Sequence, residues 1–194
     1  MTTDDEAVIA ATRNWLVKAV IGLNLCPFAR AVHDKGRIRY VVSAATTPEA
    51  LLEALAVELQ MLAETDEHVT ETTLLIHPRV LGDFLDYNDF LELADALVED
   101  LGFGGVLQVA SFHPQYQFAG TEPGDITNCT NRSPYPTLHL LRESSIARAV
   151  EAYPDTARIY EHNIETLRRI GREGWERLGV GAPRSKSPWG APDY

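Results

Sequence analysis

The chain has 194 residues, 45% of them hydrophobic and 23% charged, which is the composition of an ordinary globular protein. Its net charge of −11 argues against nucleic acid or an anionic membrane as a partner, because those surfaces recruit basic patches. We expect a single folded domain over residues 1–180 and a flexible tail, rich in Gly, Pro and Ser, over residues 181–194.

The N-terminus lacks the basic and apolar segments of a secretion signal, and no apolar run approaches the roughly 18 residues of a membrane span. The two cysteines, Cys26 and Cys129, are too few for a disulfide framework. We therefore expect a cytoplasmic protein without a membrane partner.

Apolar periodicity predicts helices and strands that alternate along the first part of the chain. The predicted elements are a helix over 4–22, a strand over 37–43, a helix over 46–64, a strand over 72–76, a helix from 83 or 86 to 101, a strand over 106–112, a possible short strand over 115–118, and helices over 137–152 and 155–178. The alternation predicts an α/β fold, with a mostly parallel sheet of three to four strands flanked by helices.

Two of the predicted strands end in the same dipeptide, His77-Pro78 and His113-Pro114. In a parallel sheet both histidines would lie at the carboxyl edge, where open α/β sheets place their ligands. The stretch from 113 to 136 then forms a long loop with several aromatic residues, and long loops in compact domains are usually functional or disordered. We therefore expect the functional site at this edge.

His139 and Glu143 stand four apart in the predicted helix over 137–152, so their side chains are expected to point the same way. If that helix crosses the sheet edge, His77, His113, His139 and Glu143 could bind iron or zinc, since both metals accept histidine and carboxylate ligands. A structural role for each histidine is the alternative.

Without a metal, the same region could perform acid–base catalysis. His113 and His139 have the right intrinsic pKa, Glu143 could orient an imidazole, and Tyr116 or Tyr135 could donate to a developing oxyanion. Asp125 is a further candidate acid. Aromatic packing of the loop explains the tyrosines equally well.

The segment before the 137–152 helix could bind a substrate. Asn131, Arg132 and Tyr135 offer an amide, a guanidinium and a hydroxyl, which suit the phosphate or carboxylate of a small ligand. Helix capping and stiffening by the prolines are the alternative. Cys26 could be a nucleophile, a redox thiol or a haem ligand, or simply a small buried apolar residue.

The chain resembles a bacterial family of uncharacterised proteins, domain of unknown function 1415. The resemblance covers nearly all of residues 5–178 and is carried by NLCPFA (24–29), LLIHP (74–78), DYNDFL (86–91), QVASFHPQYQFAG (108–120) and TNRSPYPTLHLLRE (130–143). It implies a cytosolic bacterial protein of this size and no particular chemistry.

Two functions from different classes follow. The first is a small-molecule enzyme with a His/Glu site, with or without a metal, at the carboxyl edge of the sheet. The second is a non-catalytic protein whose loop over residues 115–135 closes over a polar or anionic ligand or a partner. A third interpretation makes the loop purely architectural, covering a sheet edge. No nucleotide-binding glycine motif or nucleophile elbow is present.

Overall fold

The computed structural model describes residues 2–152 and 157–181. Its helices are α1 (Thr3–Trp15), α2 (Ala29–Asp34), α3 (Pro48–Glu64), α4 (Phe84–Asp100), α5 (Glu143–Ala152) and α6 (Ala157–Arg177). A π-helical segment (Leu16–Ile21) continues α1, and a 3-10 helix spans Ile126–Thr130. The strands are β1 (Ile38–Val42), β2 (Thr72–Ile76), β3 (Leu107–Phe112) and β4 (Thr137–Arg142).

The four strands form one mixed sheet in the order β1-β2-β4-β3. β1 and β2 are parallel, whereas β4 pairs antiparallel with both β2 and β3. The α/β class is confirmed, but the prediction of a mostly parallel sheet is wrong, because β4 inserts between β2 and β3 in the opposite direction. β1, β2 and β3 still point the same way, so their carboxyl ends share one edge.

The antiparallel strand lies where the sequence predicted the first half of a helix over 137–152, and only the second half, α5, is helical. Leu138 and Leu140 are buried on one face of the sheet and His139 turns to the other, which is the period of two of a strand. The helix prediction failed because Leu138 and Leu141 also have helical spacing. The possible strand over 115–118 is absent.

Two helices of 17 residues each, α3 and α4, cover one face of the sheet. Their buried residues pack on Leu75, Leu138 and Leu140. Arg39 at the edge of this face forms an ion pair with Glu58 of α3 at 2.9 Å. This layer holds the largest part of the hydrophobic core.

The opposite face is covered by α1 and the π-helical segment. Val8 packs on Leu74 and Ile76 of β2, which are buried. Trp15, at the end of α1, contacts Phe112 of β3 with ring centroids 5.1 Å apart. The residues of β3 and β4 on this face stay partly accessible, namely Gln108, Ala110, Phe112, His139 and Leu141. The cover is therefore incomplete beside the edge strand β3.

The C-terminal part packs against the loop and the first helix. Leu167 of α6 contacts Cys129 of the 3-10 helix, and Val180 contacts Trp15. The predicted helix over 155–178 is confirmed over Ala157–Arg177, with an interruption at Gly171, whose φ is 62°. The tail predicted over 181–194 lies outside the described residues from position 182 onward. In the described ranges, every helix falls short of the combined length and hydropathy needed to span a bilayer.

Candidate functional site

His77 and His113 follow β2 and β3 directly, and both side chains are fully buried at the carboxyl edge. Nδ1 of His77 donates to the carbonyl of Val80 over 3.1 Å. His113 donates from Nε2 to the carbonyl of Leu81 over 3.2 Å, and its Nδ1 accepts the backbone N–H of Gln115 at 3.0 Å. Both imidazoles therefore hold the loop between β2 and α4.

Tyr87 of α4 lies between these two imidazoles. Its ring centroid is 5.6 Å from that of His77 and 5.0 Å from that of His113, and its hydroxyl donates to the carbonyl of Thr137 at 2.9 Å. Burial lowers the pKa of both histidines to about 4. The two rings are thus neutral at physiological pH and packed into the core.

The loop over residues 113–136 is held together by its own side chains. Arg132 is only 8% exposed, and its guanidinium donates to the carbonyls of Tyr116 at 3.0 Å and Pro123 at 2.6 Å. The cation expected to hold an anionic substrate is therefore engaged with main-chain carbonyls inside the loop.

Two further side chains brace the same loop. Asn128 is fully buried, accepts the backbone N–H of Phe118 at 3.0 Å and donates to the carbonyl of Glu122 at 2.9 Å. Asp125 accepts the backbone N–H and the hydroxyl of Thr127, each at 2.8 Å, which lowers the pKa of its carboxyl. Because that carboxyl is ionised at neutral pH, Asp125 acts as a cap for the 3-10 helix and has no proton to donate.

The other loop residues expected to touch a substrate lie apart. Tyr116 packs on Phe84 of α4 and on Phe118, with ring centroids 5.2 Å and 5.0 Å away. Asn131 donates to a carbonyl at the end of β3 over 3.5 Å. Tyr135 is 2% exposed and packs under α1. Tyr116 and Tyr135 therefore face opposite sides of the sheet.

His139 and Glu143 do not share a helix, so the prediction that places both on a helix over 137–152 is wrong. His139 lies within β4 and faces α1, whereas His77 and His113 face α4. Glu143 adjoins the amino end of β3, while His113 follows its carboxyl end. The six residues of β3 separate those two side chains by about 20 Å.

The four residues predicted as metal ligands, His77, His113, His139 and Glu143, consequently do not converge. Among residues 2–152 and 157–181, no three His, Cys, Asp or Glu side chains are arranged to hold a metal ion. Iron or zinc binding by this set stays a sequence prediction without geometric support.

Both cysteines have the environment of packing residues. Burial raises the pKa of the Cys26 thiol and raises that of Cys129 to about 11. Nucleophilic and haem-ligating cysteines act as thiolates, whereas these thiols are protonated at neutral pH. Cys26 contacts the cluster around Trp15, and Cys129 contacts Leu167.

His139 differs from the other two histidines, since the residue is half-buried whereas His77 and His113 are fully buried. Oγ1 of Thr72 lies 2.8 Å from Nε2 of His139 and 2.6 Å from the carbonyl oxygen of Leu140. Because Thr72 donates its only hydroxyl hydrogen to Leu140, its oxygen accepts the Nε2–H of His139. The neutral ring then carries its lone pair on Nδ1.

Nδ1 of His139 is an acceptor without a partner among the described residues, on a half-buried residue. Nε2 of His77 also lacks a partner among the described residues, but it is sealed from solvent. Burial lowers the pKa of His139 to about 4, so its ring is neutral above that pH. A deep, neutral and partly accessible imidazole with a fixed tautomer suits recognition of a hydrogen-bond donor.

Strand β3 lies beside this imidazole. Nε2 of His139 contacts Thr72 of β2, and Ala110 of β3 stands directly opposite His139 on the other side of β4. The ring of Phe112 lies 5.9 Å from the imidazole, and Gln108 is two residues away on the other side of Ala110. Ala110 is the smallest of these side chains, and all four residues are at least partly accessible to solvent. We call the surface formed by Gln108, Ala110, Phe112 and His139 the Ala110 notch.

The cover over this face has unmet hydrogen-bonding groups. Nε1 of Trp15 and the hydroxyl of Tyr135 are buried without a partner among the described residues. Both side chains pack between α1 and the sheet. The π-helical segment starts directly after Trp15, and such turns are frequent at functional sites. The helical layer on this face of the sheet is therefore less regular than the layer formed by α3 and α4.

A surface groove of about 340 Å³ lies elsewhere, between the segment before α2 and α6. Its lining consists of Asn24, Pro27, Arg158, Ile159, Glu161, His162 and Glu165. Most of these side chains are exposed.

Sequence reasoning selected His139 but missed the residues that give it a role. Thr72 stands 67 positions away, and only the register of β2 against β4 brings the two together. The available signal was the alternation of Leu138 and Leu140, which turns His139 away from the main core.

Comparison with known proteins gives a family and no function. The chain matches the family model described as protein of unknown function (DUF1415) over residues 7–177, a range that includes every residue of the Ala110 notch. No curated protein and no solved structure matches it. On the strength of that match, the chain belongs to the DUF1415 family.

Proposed function

We propose that this protein binds a small molecule in the Ala110 notch, with Nδ1 of His139 accepting an N–H or O–H of the ligand. The observation that carries the proposal is the fixed imidazole: Thr72 accepts Nε2–H and leaves the lone pair on Nδ1 of this half-buried residue without a partner in the described ranges. Small-molecule sites are typically apolar surfaces with a few oriented polar atoms, and Phe112 and Ala110 supply such a surface. This is the binding-protein alternative, with the ligand over β3 and β4 instead of under the loop.

Binding has more support than acid–base catalysis. A general base works best when its pKa lies near the working pH, whereas burial lowers the pKa of His77, His113 and His139 to about 4. Such an imidazole is a weak base but a constant hydrogen-bond acceptor at neutral pH. The predicted enzyme, with His113, His139, Glu143 and Tyr116 as its catalytic residues, stays a prediction, since these side chains are spread over both faces and both ends of the sheet.

The test uses two substitutions of His139, each of which keeps a polar atom near the position of one ring nitrogen. The amide nitrogen of glutamine reaches the position of Nε2, so His139→Gln should keep the bond to Thr72 and lose the accessible acceptor. The oxygen of asparagine lies near the position of Nδ1, so His139→Asn should retain part of the acceptor. His68→Gln, at an exposed histidine, is the control.

Ligand-observed NMR with fragments that each carry an N–H or O–H donor would then compare the wild type with these variants. We expect fragments whose binding is lost in His139→Gln, partly kept in His139→Asn and unchanged in His68→Gln. If no fragment binding depends on residue 139 while the variants remain folded, the proposal is wrong.

A further inference from the structure

The groove lined by Asn24, Pro27 and five residues of α6 has unpaired acidic side chains, and we call it the α6 groove. Glu161 and Glu165 stand four apart on the helix, so both carboxylates lie on the face that lines the groove. Within the described ranges, neither carboxylate has a hydrogen bond or an ion pair. Because like charges at this spacing destabilise a helix, a cation bound between them would relieve their repulsion.

The two walls of the α6 groove are joined by a buried amide. Asn163 of α6 is only 4% exposed, and its Nδ2 donates to the carbonyl of Leu25 at 2.9 Å. Oδ1 of the same amide is buried without a partner in the part of the chain that the structure describes. This unpartnered carbonyl oxygen adds to the negative potential of the two carboxylates, and that potential attracts a cation.

The rest of the lining restricts the kind of cation. Pro27 and Ile159 are half-buried and offer an apolar surface. The volume of about 340 Å³ is near the lower end of the range for small-molecule sites, roughly 300–1,000 Å³. Since no three His, Cys, Asp or Glu side chains among the described residues are arranged to hold a metal ion, an organic cation suits this lining better than a metal.

We propose that the α6 groove binds a small primary amine in its ammonium form. The ammonium has three N–H donors and bridges the carboxylates of Glu161 and Glu165, while the alkyl chain lies against Pro27 and Ile159. The α6 groove shares no residue with the Ala110 notch, so this proposal goes beyond the proposed function and is tested independently of it.

Four probes separate the charge of the ligand from its apolar contact. Pentylammonium has both features, 1-pentanol lacks the charge, pentanoate reverses it, and ethylammonium keeps the charge on a shorter chain. In ¹H–¹⁵N spectra of the whole protein at low salt, pentylammonium should shift the amide resonances over residues 23–28 and 158–166. We expect it to bind about tenfold more tightly than ethylammonium, because three further methylenes become about half buried. The alcohol and the carboxylate should leave these resonances in place.

Matched double variants test the position of the site. Glu161→Gln with Glu165→Gln removes both charges from the groove, whereas Asp95→Asn with Glu99→Gln removes two charges at the same spacing from the exposed face of α4. The first double variant should weaken pentylammonium binding by about tenfold or more, and the second should bind as the wild type does.

A single variant tests the apolar wall. Ile159→Ala keeps a good helix former and removes most of the apolar side chain, so it should reduce the advantage of pentylammonium over ethylammonium.

Three results would overturn the proposal. An equal loss of binding in the two double variants would mean that the cation is attracted only by the net charge of the protein. Equal affinities of ethylammonium and pentylammonium in the wild type would remove the apolar contact. Shifts produced by pentanoate at these amides would show that the groove prefers an anion.

Discussion

Thr72 accepts the Nε2–H of His139 over 2.8 Å across the pairing of β2 with β4. The hydroxyl hydrogen of Thr72 goes to the carbonyl of Leu140 at 2.6 Å, so the direction of the first bond is set. Thr72 in β2 thereby fixes the tautomer of His139 in the neighbouring strand β4. The consequence is an imidazole whose other nitrogen, Nδ1, is left as a hydrogen-bond acceptor.

The first prediction concerns this bond. Thr72→Val keeps the shape of the side chain but removes the acceptor for His139, and we expect the free energy of unfolding to fall by about 1–2 kcal/mol. The imidazole should then populate both tautomers. Urea unfolding and the ¹⁵N spectrum of the histidine rings measure the two effects. Thr46→Val, at an exposed position, is the control, and an unchanged His139 tautomer in Thr72→Val would contradict the assigned role.

The second prediction concerns pH. His77, His113 and His139 have folded pKa values of about 4, below the usual 6.5, because burial disfavours their charged form. Below pH 6.5 the unfolded chain binds protons that the folded chain does not, so stability should fall as the pH drops from 6.5 toward 4. Each histidine can account for up to about 3 kcal/mol over that window.

Urea unfolding between about pH 7 and about pH 5 measures the slope. His139→Gln should reduce the slope by the share of one histidine, and His68→Gln should leave it unchanged. An equal slope in wild type and His139→Gln would show that His139 protonates freely in the folded state.

The third prediction compares tyrosine hydroxyls. Tyr135→Phe removes a buried hydroxyl without a partner among the described residues, whereas Tyr87→Phe removes one that donates to the carbonyl of Thr137 at 2.9 Å. We expect Tyr135→Phe to be neutral or to stabilise by about 1 kcal/mol, and Tyr87→Phe to destabilise by a similar amount. Thermal unfolding measures the stability of both variants. A Tyr135→Phe variant less stable than Tyr87→Phe would contradict the hydrogen bonding described above.

The fourth prediction concerns Arg132. Arg132→Met keeps much of the side-chain length but leaves the carbonyls of Tyr116 and Pro123 without their charged donor, and hydrogen bonds to charged groups contribute about 1.5–3 kcal/mol each. Amide exchange over residues 113–136 should accelerate while ligand binding in the Ala110 notch persists. Arg148→Met, at an exposed ion pair, is the control. Loss of ligand binding with unchanged exchange would instead favour the anion anchor expected from the sequence.

The fold was largely predictable up to residue 112. Strand β2 coincides with its prediction at Thr72–Ile76, because a short β-branched and apolar run between turns has few alternatives. Strand β4 was missed because its leucines fit both periods and a true helix, α5, follows without a break. Missing that one strand made the sheet seem parallel and put His139 and Glu143 on one helix.

The site was predictable only in part. The sequence identified His77, His113 and His139 as candidate site residues. It could not distinguish the buried residues His77 and His113 from the half-buried His139. That difference depends on contacts such as Thr72 with His139, which are set by register between distant segments. The small size of Ala110 becomes relevant to the site only once His139 is known to lie opposite it in the pairing of β3 with β4.

The proposed ligand site depends most on the protonation of His139. A long-range ¹H–¹⁵N spectrum of the histidine rings at neutral pH, assigned with His139→Gln, tests it directly. We predict a proton on Nε2 and a bare Nδ1, and we expect the Nδ1 resonance to move when a fragment that binds in the Ala110 notch is added while the resonances of His77 and His113 stay in place. A proton on Nδ1 of His139 would contradict both the role of Thr72 and the proposed ligand site.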